Sequence, residues 1–317
     1  WVMRSIGPLR QPTDEVADAD FWLFDPKDPV RRFDNAVSID YILSSDAGHV
    51  SLEFMDSSGD VLASYEASAD DEDERVTDEP QGYNPFGGGG SQEPGLSAGS
   101  NRFRWNMRLE GWTDFDGRIF WAAGNQGPSV LPGEYRVRLT VDGESMTQNF
   151  EIKMNPRAVA DGVTASDLEE RFNFAIRIRD RVSDANEAVL RMRSIKAQIN
   201  DRIQENENAQ LAQLGEAVSD RLSEVEGEVY QVQNRSNQDP LNYPIKLNNK
   251  IAALQNLVEG AESRPTEQSY AVFENLSGQL EGELEQMNLV IQQDLARLNE
   301  LLRELGLEPI DTDRLIT

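Results

Sequence analysis

From Leu168 to Leu305 apolar residues recur in steps of three and four, and this period constrains the chain more than any other feature. One stripe runs Leu168, Phe172, Ala175, Ile178, Val182, Ala185, Val189, Met192, Ile195, Ile199, Ile203, and "ENEN" at 205–208 ends it. A second runs Leu211, Leu214, Val218, Leu222, Val225, Val229, Val232. "NQDPLNYP" at 237–244 interrupts with two prolines, and Leu247, Ile251, Leu254 and Val258 resume the pattern. After "SRPTEQ" the last stripe goes from Phe273 through Leu280, Met287, Ile291 and Leu298 to Leu305. Each helix has one apolar stripe and a charged back, so it buries its stripe only against other helices. The first and last helices reach about 60 Å each, and the two middle ones together come close to that. The simplest packing is an elongated antiparallel three-stranded bundle whose middle strand is broken at Pro240 to Pro244. A four-helix bundle is the alternative.

Before residue 160 the period changes to two. Val37, Ile39 and Tyr41 fall on one face, and "VSLEFM" follows a turn at Ser44–Gly48. "DSSGD" at 56–60 turns the chain back into Val61–Tyr65. "NRFRWN" at 101–106 reads as another strand, and "YRVRLTVDG" with "MTQNFEIKM" reads as a hairpin. These short strands predict an Ig-like antiparallel β-sandwich over 30–157, making a multidomain all-β plus all-α chain. A stretch without period at 67–100, holding the acidic run Asp70–Glu74 and Gly87–Gly90, reads as a long mobile loop. The helices occupy 158–306, and 307–317 reads as a C-terminal tail.

The net charge of −27 decides several function classes. With the acid dispersed along the chain, nucleic acid and anionic membranes are disfavoured as partners, so neither is expected. No apolar run is long enough for membrane insertion. Only five lysines occur, Lys27, Lys153, Lys196, Lys246 and Lys250, a balance that suits high salt or a GC-rich genome equally. With no cysteine, thiol catalysis and Cys-ligated metals are impossible.

Few residues offer chemistry. His49 is the single histidine, so one chain cannot assemble a Ser–His triad or a two-histidine site. "GWTDFDGR" places Asp114 and Asp116 two apart, as a carboxylate pair or as a turn that caps backbone amides. Trp105, Trp112 and Trp121, with Phe115 and Phe120, form either a sugar- or partner-stacking set or sandwich core. Trp105, Trp112, Trp121, Asp114 and Asp116 are therefore the candidate carbohydrate or partner site, with no catalytic residue and no metal ligand assigned. No cofactor is expected; weak calcium binding by "DADFWLFDPKD" at 18–28 or by the acidic run is the one alternative. Asn237, Asn242, Asn248 and Asn249 beside the two prolines read as a structural joint that satisfies freed backbone groups.

The stretch from "NRFRWNMRLEGW" to "PGEYRVRLTVDG" resembles the Ig-like domain of flagellar hook-capping and bacterial surface proteins. "FAIRIRDRVSDANEAVLRMRSIKAQI" and "QDPLNYPIKLNNKIAAL" resemble the C-terminal tail of exported bacterial proteins related to sortilin, often labelled glycosyl hydrolases of the BNR or Asp-box class. In that family a β-propeller precedes both modules, and "WVMRSIGPLRQ" at 1–11 is similar to its final strand. The resemblance implies that residues 1–29 end a preceding propeller and linker. It also implies an extracellular, cell-surface or periplasmic location, with an upstream propeller in the same polypeptide as a partner. No Asp-box repeat occurs here, so any glycosidase chemistry would lie upstream and this chain is not expected to be an enzyme. The expected function is a non-enzymatic accessory region for docking or self-association, as a homo-oligomer or in a surface complex. The alternatives are a carbohydrate-binding or glycosidase-associated module, and a structural subunit of a surface filament that donates residues 1–6 as a strand.

Overall fold

A computed structural model describes residues 14–72 and 93–314. The strand expected at 1–6, Gly87–Gly90 and the central part of the expected 67–100 loop lie outside those residues. The ends of that loop are ordered differently from expectation: Ala67 and Ser68 finish a strand, and Gly99 and Ser100 begin one.

The chain forms antiparallel sheets followed by helices, in two compact units. The first unit holds residues up to Glu110, Gln126–Phe172 and Glu262–Arg264. Its strands are β1 (Phe21–Leu23), β2 (Val37–Leu43), β3 (His49–Met55), β4 (Val61–Ser68), β5 (Gly99–Trp105), β6 (Gly133–Val141) and β7 (Glu144–Ile152). They pair as β1-β2-β5 and β4-β3-β6-β7. Every second residue points inward, as a half-buried pleat requires. Val37, Ile39 and Tyr41 from one sheet, and Leu52, Phe54, Val137 and Leu139 from the other, join a single hydrophobic cluster. Trp105 lies in it, stacked on Phe54 at 4.3 Å between ring centroids, and its indole N–H donates to the Arg108 carbonyl at 3.1 Å. β1 was not expected from the sequence: three residues are too few to show a period. His49 opens β3, and its backbone N–H donates to Asp142 at 2.8 Å. A buried ion pair, Arg31 with Glu262 at 2.8 Å, fixes residues 262–264 in this unit.

The second unit comprises Gly111–Asn125, Asn173–Ala261 and the chain from Pro265. Its helices are α1 (Ala165–Glu205, whose first residues count with the strand unit), α2 (Ala209–Val229), α3 (Leu247–Glu259) and α4 (Glu267–Leu289). A π-helical turn, Val290–Leu295, leads α4 into α5 (Ala296–Glu304). The starts follow side-chain chemistry. The Asn208 side chain accepts from the backbone N–H of Gln210 and Leu211, and Thr266 accepts from Ser269. Phe273, Leu280 and Met287, seven apart, are the buried edge of α4. Among the described residues no helix is long and apolar enough to cross a membrane.

One ion cluster sits at the α1–α2 seam. Glu226 is almost fully buried and accepts from Arg193 at 2.7 Å and from Lys196 at 2.5 Å. The Arg193 guanidinium also lies over the Phe115 and Tyr230 rings, at 4.8 and 5.4 Å. Removing the carboxylate leaves two cations facing each other. Glu226→Ala is expected to lower stability by about 3 kcal/mol, the low end for a broken buried pair because both cations reach water. Urea unfolding followed by circular dichroism measures it; a loss below about 1 kcal/mol, the range of surface pairs, would contradict the buried role.

Candidate functional site

The tryptophan- and acid-rich stretch leaves the strand unit at Glu110 and returns at Gln126. Its base is a short antiparallel stem. The Leu109 N–H donates to the Pro128 carbonyl and the Val130 N–H to the Met107 carbonyl, both at 2.9 Å. Gly127 permits this closeness: a Cβ there would stand 1.9 Å from the Leu109 carbonyl oxygen. Residues 111–125 form a finger beyond this stem and pack with the helices, although sequence reading counted them with the strands.

The finger closes on itself through one turn. Asp114 accepts from the Phe115 N–H at 2.9 Å and holds the Arg118 guanidinium through both oxygens, at 2.5 and 3.0 Å. Gly117 takes a φ of 74° in that turn, and the Asn125 amide donates to the Trp112 carbonyl at 3.1 Å.

Helix side chains then take up the finger's backbone groups. Ser183 accepts from the Thr113 N–H at 3.0 Å, and Asn186 donates to the Thr113 carbonyl at 2.7 Å. The Tyr230 hydroxyl accepts from the Ile119 N–H at 3.2 Å and donates to the Gly117 carbonyl at 3.3 Å. Asn249 binds both backbone groups of Trp121, accepting from its N–H at 2.7 Å and donating to its carbonyl at 2.8 Å. Asn256 donates to the Ala122 carbonyl at 2.7 Å. The side-chain amide of Asn249 thus does what a neighbouring strand does in a sheet. Trp112 and Phe115 enter the apolar cluster of the helices, and Phe115 meets Tyr230 edge-on at 5.1 Å.

The five expected site residues fall into two sets. Trp105, 0% exposed, belongs to the core of the strand unit. Trp112, Asp114, Asp116 and Trp121 belong to the finger. Trp112 is 3% exposed and offers no stacking face, while Trp121 is 42% exposed. Burial pushes the Asp114 carboxyl up, but the Arg118 guanidinium, the Phe115 N–H and the Asn125 amide outweigh it and hold Asp114 below the usual carboxylate range. A general acid needs the opposite shift. Asp114, Phe115, Asp116, Gly117 and Arg118 line an open cleft of about 330 Å³, which is the mouth of this one turn. Among the described residues no group of three or more His, Asp or Glu side chains could hold a metal ion. In the stretch considered for calcium, Asp28 is paired with Lys153 at 2.7 Å and accepts from the Glu151 N–H.

Sequence reading missed the receiving residues Ser183, Asn186, Tyr230 and Asn256. Asn186 alone carries a signal, a polar residue on a buried helix face, and it does not say what it binds. Asn248 and Asn249 were assigned to the proline joint. Instead Asn248 donates to Asn186 at 3.0 Å and Asn249 holds Trp121. The joint is served by Asp239, which accepts from the Arg235 and Ser236 N–H groups.

No family model matches the chain, and no curated protein matches it. Among solved structures, CopC from Methylosinus trichosporium OB3b is similar at 14% identity, over 43% of this chain and 95% of that one, with a TM-score of 0.21. At that score the similarity carries no information on fold or ligand.

Proposed function

We propose that this chain is a non-enzymatic accessory region of an exported β-propeller protein, acting outside the cytoplasm by docking a partner protein or a second copy of itself. The observation that carries this reading is the use made of the finger. The tryptophan and aspartate most suited to a site, Trp112 and Asp114, are spent on packing and on an ion pair. In the same reading the two sheets form an Ig-like sandwich, and the shared core in which both sheets meet supports it. The helices form a three-stranded bundle with a broken middle strand. Arg177 and Arg181 of α1 meet Glu274 and Glu281 of α4 in the same order, while Arg193 and Lys196 meet Glu226 and Ser223 of α2 in reverse order. Exposed Val232, Leu241 and Tyr243, all in the segment joining α2 to α3, supply apolar side chains for docking.

Self-repulsion at a charge of −27 opposes association at low ionic strength, and salt screens it. Light scattering is therefore expected to give a mass above the 35.6 kDa of one chain at high salt, falling towards it at low salt. A single-chain mass at both salts removes self-association. Glycan arrays and aryl-glycoside assays are expected to be silent. A saturable glycan signal lost in Trp121→Ala would replace this reading with the carbohydrate one.

A further inference from the structure

A second irregular segment is held on the helices, along the C-terminal part of α1. Gly306, at a φ of 73°, stops α5, and the Leu307 N–H returns to the Leu302 carbonyl at 2.8 Å. Pro309 has no N–H to continue the helix. From Glu308 to Arg314 the chain lies along α1 residues 191, 194, 198 and 202, which share one face. Gln198 binds both backbone groups of Asp311, donating to its carbonyl at 2.8 Å and accepting from its N–H at 2.9 Å. Asn299 of α5 does the same for Ile310, at 3.3 and 2.8 Å. Arg202 donates to the Glu308 carbonyl at 2.9 Å and to its carboxylate at 3.0 Å. Arg191 donates to the Thr312 carbonyl at 3.0 Å, and Ser194 donates to the Arg314 carbonyl.

These are the features of a built peptide site. Ser194 and Gln198 are nine-tenths buried or more beneath the segment, and its backbone takes up their polar atoms. The bonds go to backbone groups, which any sequence supplies. Selectivity comes from two further terms. Ile310 is 4% exposed and is the segment's one fully buried anchor in the apolar cluster. Arg191 and Arg202 face Asp313 and Glu308, an acidic match at the rim of the groove.

We propose that this groove between α1 and α5 binds acidic peptides carrying one aliphatic anchor, and that residues 307–314 fill it as a displaceable internal ligand. The partner of the docking reading would then present a segment with the order of Glu308, Ile310, Asp311 and Asp313. The inference deepens that reading, yet its test uses a peptide alone, so its failure leaves the mass and glycan tests standing. A tethered segment competes at about millimolar effective concentration. A labelled peptide of residues 305–314 is therefore expected to bind a chain ending at Gly306 tens of fold more tightly than the full chain. Asn299→Ala in the shortened chain, or Ile310→Asp in the peptide, is expected to abolish binding. A shortened chain that keeps its helical circular dichroism but ignores the peptide overturns the proposal, as does equal binding by both chains. If shortening unfolds the helices, hydrogen exchange on full-length Ile310→Asp decides. At least tenfold faster exchange at residues 310–312 with α1 and α5 still protected supports a displaceable ligand; joint loss of protection overturns it.

Discussion

Replacing residues 112–125 by a two-residue Asn-Gly turn is expected to strip the helices of hydrogen-exchange protection while the strands keep theirs. The stem makes the experiment clean. Leu109 with Pro128 and Met107 with Val130 already pair below the cut, in a register that puts Gly111 opposite Gln126, the pair such a turn would close. The helices, in contrast, lose Trp112 and Phe115 from their core, at about 3–5 kcal/mol for each large aromatic. They also lose the hydrogen bonds that Asn186 and Asn249 make to the finger, at about 0.5–1.5 kcal/mol each. Together these losses rival the whole stability of an ordinary domain, about 5–15 kcal/mol. Wild-type protection in the helices after the replacement would mean that the finger is a passive loop, and the packing role that carries the proposed function would fall.

Alkaline unfolding of the strand unit between pH 10 and 12 is the second large effect expected. Burial pushes the Tyr41 and Tyr135 hydroxyls from the ordinary 10 up to about 12. The Gly95 carbonyl accepts from Tyr41 at 2.8 Å, and the Leu131 carbonyl accepts from Tyr135 at 2.7 Å. Below pH 10 both tyrosines are protonated in the folded and the unfolded chain, and their full contribution is present. Between 10 and 12 only the unfolded chain releases the protons, so stability falls as pH rises. The slope is about 1.4 kcal/mol per pH unit for each tyrosine, or roughly 5 kcal/mol for the pair across the window. The part of the tyrosinate absorbance that Tyr41→Phe and Tyr135→Phe remove is expected to rise together with the loss of near-ultraviolet circular dichroism. Each substitution should lower the pH dependence. A tyrosinate signal near pH 10 that either substitution removes, with the fold intact, would contradict the burial of that hydroxyl.

Periodicity explains why most elements were legible. A strand with one face buried repeats every two residues, and a helix with one stripe repeats at three and four. The break at "ENEN", the restart after "SRPT" and the hairpin at "VDGES" each mark an observed boundary, between α1 and α2, before α4 and between β6 and β7. β1 escaped because three residues carry no period, and the π turn at Val290–Leu295 escaped because it does not interrupt the apolar stripe.

The candidate site was less legible for a different reason. Trp112 and Phe115 announce burial, but burial against which partner is a long-range fact. Ser183, Tyr230 and Asn249, which receive the N–H groups of Thr113, Ile119 and Trp121, stand far along the chain, and the bonds go to backbone atoms that every residue has. The same holds for the tail, where Gln198 and Asn299 recognise Asp311 and Ile310 through the main chain.

The sequence by itself determined most strand and helix boundaries, because local period, caps and turn residues act within a few positions. It also determined an acidic chain without thiol chemistry. Only the tertiary structure decided that residues 111–125 and 308–314 are ligands of the helices. Irregular backbone must find its hydrogen-bond partners somewhere, and here they are amide and hydroxyl side chains that only folding brings within reach.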